Sequence, residues 1–160
     1  MKTIYDILSD LRIQYDKHDH PAVFTVADSD TYDIHLDGAH TKNLFLTTKE
    51  KDTYYLLVVD SAKRVDLKSV ANFVNKKKLT FAPPEMLFRY LEVTPGSVSP
   101  FGLINDAGKD VIVLVDKDLM LFDKVGFHPN TNTATLIIST DDFKKFLDWC
   151  ANTCFFIEVS

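Results

Sequence analysis

Apolar positions recur along the chain with two periods, and the switches between them outline the elements. Ile4, Ile7, Leu8 and Leu11 fall at helical spacing, so Thr3 to Leu11 is predicted as a helix. Thr3 suits its N-cap, and Asp6 three residues on completes a capping-box-like start. Gln14 to His18 reads as a short strand that Pro21 ends, and Thr25 to Tyr32 as a helix capped by Thr25. Thr41 to Thr47 and Tyr54 to Asp60 are apolar enough to be buried strands, the second on both faces. Asp66 to Val74 is predicted as a helix, Leu79 to Ala82 as a short strand, and Pro84 to Leu91 as a helix with proline in its first turn. Val111 to Val115 reads as a buried strand and Lys124 to Phe127 as an edge strand. Thr133 to Ser139 reads as a β-branched strand. A helix capped by Thr140 runs on to Ala151, carrying Phe143, Phe146, Leu147 and Cys150 on one face. Phe155 to Val159 closes as a strand.

Helices and strands alternate irregularly, with hairpin-like links between several strands. The pattern predicts an α/β (mixed α+β) fold: one domain over residues 1–160, with a central mixed, mainly antiparallel sheet flanked by helices. Neither G-x-G-x-x-G nor a Walker A pattern is present, so a doubly wound nucleotide fold is not expected.

Composition narrows the function classes. The chain has 160 residues, 46% hydrophobic and 26% charged, which is the balance of a globular domain. No secretory h-region opens it and no apolar run reaches the roughly 18 residues of a membrane span, so a cytoplasmic location and no membrane partner are expected. The net charge of −5 argues against broad phosphate binding, hence against DNA, and limits any RNA contact to a local one. The basic clusters Lys63-Arg64 and Lys76-Lys77-Lys78 read most simply as solvated faces. Cys150 and Cys154, four apart in a segment read as helical, are expected to be reduced thiols. His18, Asp19 and His20 would place two imidazoles on one strand face, but no third ligand stands at a clear spacing. His35 and His40 read as loop residues, and no metal or other cofactor is expected.

Three stretches carry polar residues where packing alone would not put them. Lys42 leads straight into the apolar run Asn43-Leu44-Phe45-Leu46, where its stem can pack while the ammonium reaches a cleft. In Pro95-Gly96-Ser97-Val98-Ser99-Pro100 two prolines stiffen a loop, and Gly96 permits close approach of a ligand to the backbone. His128-Pro129-Asn130-Thr131-Asn132-Thr133 sets an imidazole and two amides on a turn. Each also has a plainer reading: a solubilising lysine, a rigid turn and an Asx-turn hairpin tip. No G-x-S-x-G surrounds Ser97 or Ser99, so a serine-nucleophile reading is weak.

Taken in order, K-N-L-F-L, L-T-F at Leu79 to Phe81, P-G-S-V-S-P-F-G-L-I-N-D and H-P-N-T-N-T-A-T-L resemble the YbaK-like tRNA deacylases. These are related to the editing domain of bacterial prolyl-tRNA synthetases. Within that family the chain is most similar to the freestanding alanyl-tRNA(Pro) deacylases, over nearly its whole length. The resemblance implies hydrolysis of the ester between a wrong amino acid and the terminal adenosine of tRNA, without metal, cofactor or protein nucleophile. It implies the acceptor end of a mischarged tRNA as partner, and allows prolyl-tRNA synthetase as another. Lys42 takes the position of the family's essential lysine, anchoring the phosphate or ribose of the tRNA end, with Asn43 beside it. Gly96 to Pro100 falls on the G-x-x-x-P loop. There the backbone at Gly96 and Ser97 would polarise the carbonyl, and Val98, Ser99 and Pro100 would line the aminoacyl site. His128 would shape the pocket or position water. Phe24 and Val26 stand where the family places pocket residues, and plain core packing would serve them equally. Alanine is the expected amino acid. Cysteine on tRNA(Pro), serine or threonine esters, and a non-catalytic tRNA- or synthetase-binding module are the alternatives. The whole reading expects the Lys42 ammonium and the amides after Pro95 to converge on one small cleft.

Overall fold

The computed structural model describes residues 2–19 and 39–159. The helix expected over Thr25 to Tyr32, and with it Phe24, Val26, His20 and His35, lies outside the described residues.

Local chemistry sets most element boundaries. Helix α1 (Ile4–Asp10) starts on a full capping box: the Thr3 hydroxyl accepts from the Asp6 N–H at 3.3 Å, and the Asp6 carboxylate accepts from the Thr3 N–H at 2.9 Å. Strands β1 (Asp16–Asp19), β2 (Ala39–Thr48) and β3 (Tyr54–Asp60) follow. Helix α2 (Leu67–Phe73) is capped by Asp66, which accepts from the Lys68 N–H at 3.0 Å. Strand β4 (Leu79–Phe81) leads to α3 (Pro84–Leu91), where proline occupies the first turn and needs no hydrogen bond. The loop expected after α3 contains two 3-10 turns, Pro95–Ser97 and Pro100–Asn105. Strands β5 (Val111–Asp116), β6 (Lys124–Phe127) and β7 (Ala134–Ser139) precede α4 (Thr140–Cys150) and β8 (Cys154–Ile157).

Three local expectations are corrected. The cap of α4 is Ser139, whose hydroxyl accepts from the Asp142 N–H at 3.0 Å. Thr140 instead turns its hydroxyl back to the Phe122 carbonyl. Cys154 is not helical: Ala151, in the left-handed region at φ 60°, ends α4, and Cys154 opens β8. Strand β6 is not an edge, since it lies between β2 and β7. A four-residue strand with lysine and glycine looks like an edge, but Val125 and Phe127 are both core residues.

The strands form one mixed sheet in the order β1-β7-β6-β2-β3-β5-β8, with β4 also paired to β2. Antiparallel pairs join β1 to β7, β6 to β7, β2 to β3 and β2 to β4. Parallel pairs join β2 to β6, β3 to β5 and β5 to β8. Each face of this sheet carries its own core. The first gathers Ile7, Leu8, Phe45, Leu56, Val58, Phe101, Phe127, Phe143 and Phe146 under α1, α3 and α4. The second gathers Leu46, Tyr55, Leu57, Val59, Leu114 and Ile157 under α2, through Val70 and Ala71. Strand β3 feeds both, which accounts for its unbroken apolar run.

Candidate functional site

Strand β2 is the junction on which the site is built. Ala39 and His40 pair with Val125 and Gly126 of β6, whereas Thr41 to Thr47 pair one-to-one with β3 and without a bulge. Side chains therefore alternate strictly along this stretch. Asn43 and Phe45 stand opposite Val58 and Leu56, on the first-core face. Lys42, Leu44 and Leu46 stand opposite Val59, Leu57 and Tyr55, on the second-core face. Lys42 is half-buried, and its ammonium donates to the Lys63 carbonyl in the turn after β3. A lysine ammonium has three donors, so this bond alone does not exhaust it.

His128 follows β6 directly. The β2–β6 ladder ends at the pair His40–Gly126, and Lys42 and His128 each stand two residues beyond it on parallel chains. The two leave the ladder at one level. The Thr41 hydroxyl closes the junction by donating to the Gly126 carbonyl at 2.7 Å. The His128 ring has Nδ1 2.9 Å from the Ala134 carbonyl, so Nδ1 carries the proton. In the neutral ring the lone pair then sits on Nε2.

The Pro95–Pro100 loop packs on the first-core side. Val98 rests against that core, and Ser97, Ser99 and Pro100 are buried, while Gly96 is half-buried. The Ser99 hydroxyl accepts from the Phe101 N–H at 3.1 Å, capping the second 3-10 turn. Serine there is a cap, which agrees with the weakness of a nucleophile reading. Below it the Phe101 ring meets Phe127 and Phe146 edge-on, at 5.6 and 5.3 Å between centroids. Asn130 joins loop to turn: its Nδ2 donates to the Phe101 carbonyl at 3.4 Å, from a left-handed backbone (φ 62°) that asparagine tolerates well.

The structure thus brings the loop at Gly96, Ser97, Val98, Ser99 and Pro100 against the His128–Thr133 turn, and Lys42 level with His128. It does not put Lys42 on the face that holds the loop. Among the described residues no hydrogen bond links the two. At the strand end, where Lys42 and His128 stand level, the contacts of the described residues neither join the ammonium to the loop amides in one cleft nor wall them apart. Alternation sends position 42 one way and position 43 the other, so Asn43 is the β2 residue that shares the loop's face. Its Oδ1 is buried with no hydrogen-bond partner among the described residues, and so is that of Asn130. Three grooves lined by described residues hold none of these groups. They run past Tyr15, Lys124 and Asp142, past Lys144, Leu147 and Phe156, or past Lys117, Asp118 and Glu158.

Other sequence candidates among the described residues stand apart from this site. His18 is exposed on β1, and no three potential metal ligands cluster among the described residues. Burial pushes the Cys150 thiol up to about 12 and Cys154 up to about 11, as suits inert thiols. Lys63, read as part of a solvated cluster, instead folds inward onto Asp116, while Arg64 stays exposed. Sequence reasoning placed Asn130 only as one of two amides on the turn, without its tie to the loop, and missed the Lys63–Asp116 pair. A signal for the pair was available: the two apolar strands β3 and β5 each end on an aspartate.

Among the described residues no helix is long and apolar enough to cross a membrane. Residues 20–146 match the family model described as "Aminoacyl-tRNA editing domain". The chain is 37% identical over 152 residues to the prolyl-tRNA editing protein ProX of Acetoanaerobium sticklandii, covering 95% of this chain and 93% of that protein. It is 37% identical over 144 residues to the prolyl-tRNA synthetase associated domain-containing protein 1 of Bos taurus, covering 88% and 84%. Two solved structures share the fold. One is a hypothetical protein, APE2540 (TM-score 0.75, 15% identity, 96% and 97% covered), and the other a candidate trans-editing enzyme for prolyl tRNA synthetase (TM-score 0.69, 18% identity, 96% and 92% covered). An eight-stranded mixed sheet of this order, the loop and turn tied at its β6 end, and a relative alike across almost the full length together place the chain in the aminoacyl-tRNA editing domain family.

Proposed function

We propose that this protein is a trans-acting aminoacyl-tRNA deacylase that removes a wrong amino acid from tRNA(Pro), alanine above all. The observation that carries this is the 37% identity to an editing protein over 95% of the chain. In this reading residues 1–160 are one editing domain, acting in the cytoplasm on the acceptor end of mischarged tRNA, with prolyl-tRNA synthetase as a further partner.

The chemistry asks little beyond placement. An aminoacyl ester is already activated, so orientation and polarisation of its carbonyl suffice for water to attack. Lys42 neutralises charge at the terminal nucleotide, with two ammonium protons available beyond the one given to the Lys63 carbonyl. Backbone N–H groups at Gly96 and Ser97 meet the carbonyl, while Val98, Ser99 and Pro100 form the wall behind the amino-acid side chain. His128, its ring held through Nδ1 by the Ala134 carbonyl, shapes the pocket or positions the attacking water. Asn43, on the loop's face of β2, offers its buried Oδ1 to a substrate donor. Phe24 and Val26 complete the pocket that shuts out proline. Exclusion must be steric, because one or two methylenes change attraction by only about 1–3 kcal/mol.

The test is to incubate the protein with tRNA(Pro) charged with alanine, cysteine, serine or proline and follow loss of the amino acid. Alanine should be released fastest and proline spared, and Lys42→Ala should lower turnover at least a hundredfold while circular dichroism stays unchanged. Faster release of cysteine or serine would reassign the substrate. Inactivity on all four would leave a tRNA- or synthetase-binding module.

A further inference from the structure

The residue whose carbonyl receives the Lys42 ammonium is itself held, through its side chain, by a partly buried ionic network. Lys63 Nζ donates to Asp116 Oδ1 at 2.9 Å, to Asp118 Oδ2 at 2.7 Å and to the Val159 carbonyl at 2.7 Å. Three acceptors use all three of its donors. Asp116 is fully buried at the end of β5, and its carboxylate also accepts from the N–H of Asp60 at 3.2 Å and of Asp118 at 3.1 Å. Asp60 in turn is the β3 residue paired with Thr41, the neighbour of Lys42. The turn between is tightly bonded: Ser61 N–H donates to the His40 carbonyl at 2.8 Å, Lys63 N–H to the Asp60 carbonyl at 3.0 Å, and Ala62 N–H to Asp60 Oδ1 at 3.0 Å. The Asp116–Lys63 pair therefore ties together the ends of β3 and β5, the chain at Val159 and the turn that presents the Lys63 carbonyl.

We propose that Asp116 and Lys63 are positioning residues for Lys42, holding that carbonyl where it keeps the ammonium in one orientation toward the tRNA end. This rests on the reading that Lys42 anchors the substrate. A half-buried lysine with four rotatable bonds gains a defined direction only from a fixed acceptor, and the acceptor is fixed only while its own side chain is locked. The pair touches neither substrate nor reacting atoms and acts through Lys42 alone. A purely structural ion pair would affect stability and activity without regard to residue 42, which separates the two roles.

The experiment compares wild type, Lys42→Ala, Asp116→Asn, the double variant Lys42→Ala/Asp116→Asn, and Asp118→Asn. Asp118→Asn is the milder change and keeps the test alive if Asp116→Asn does not fold. Single-turnover deacylation of alanyl-tRNA(Pro) with enzyme in excess is measured below every variant's melting temperature. The lysine ζ-ammonium resonances are followed in parallel by 1H–15N NMR, with Lys42 assigned by its loss in Lys42→Ala. We expect Asp116→Asn to slow deacylation at least tenfold in the wild-type background and less than twofold in the Lys42→Ala background, with the Lys42 resonance shifted or exchange-broadened. Asp118→Asn should shift it less. An equal slowing in both backgrounds, or an unmoved Lys42 resonance, overturns the proposal. Wild-type turnover by Lys42→Ala overturns the reading of Lys42 instead, while the resonance still reports whether Asp116 holds the ammonium.

Discussion

Lys63 carries a charge into a place where burial opposes it. Desolvation is the largest influence on its ammonium and pulls its pKa down. The hydrogen bonds and charges of Asp118 and Asp116 together outweigh it, so the net shift is upward. A cation raised in the folded state adds stability that is complete below its unfolded pKa and is lost as pH climbs through the folded value. Lys63→Met should therefore cost about 3 kcal/mol near pH 8, because it strands the Asp116 carboxylate without its partner. The gap between wild type and variant, measured as urea midpoints from pH 8 to 11.5, should narrow above about pH 10.5. A constant gap would mean the charge is not what matters. Nothing in the local pattern announces this pair, since its partners are 53 residues apart. The same holds for Asp106, which accepts from the Val111 N–H at 2.9 Å and from Asn152 Nδ2 at 2.9 Å across 46 residues. Periodicity reports on neighbours along the chain, and these contacts are made by topology.

Elements whose limits are set by their own residues were legible. The capping box at Thr3 and Asp6, the apolar run Tyr54 to Asp60 and the proline-led helix Pro84 to Leu91 all stand where the pattern puts them. Limits set by tertiary contact were not: Ser139 displaces Thr140 as cap because Phe122 claims the Thr140 hydroxyl. The candidate site divides the same way. Its motifs were readable, whereas the face each side chain takes depended on the β2–β3 register. The 3-10 turn after the Pro95–Pro100 loop shows how an element seats a site. A Cβ added at Gly102 would lie 2.9 Å from Leu91 Cβ and 3.2 Å from the Leu91 carbonyl oxygen, and Asn105 Nδ2 donates to that same oxygen at 2.8 Å. The turn thus sits directly on the end of α3. Gly102→Ala should destabilise by about 1–3 kcal/mol through overpacking. It should also depress deacylation more than a surface change of equal cost, because the loop above must shift. Urea denaturation together with turnover checks both, and full activity at reduced stability would uncouple the loop's seat from the reaction.

The whole molecule is one sheet between two cores, and β3 contributes to both. Leu56 faces the aromatic cluster beneath the loop, while Leu57 faces α2. Leu56→Ala should cost about 2–5 kcal/mol in urea denaturation, as expected for a fully buried leucine in a core that cannot collapse around the gap. A loss under 1 kcal/mol would mean that the first core closes over the missing atoms. The overall architecture was legible because alternation and helical spacing are properties of each face. The strand order was not, because parallel joins such as β2 to β6 link segments more than 80 residues apart.

The strict alternation along β2 constrains how this protein can vary over evolutionary time. Substitutions at positions 42 and 43 alter one face at a time. Loss or gain of a single codon between Thr41 and Thr47 would instead swap the ammonium and the amide across the sheet and turn Phe45 out of its core. Length changes in relatives should therefore gather outside this stretch, or arrive in pairs that restore parity.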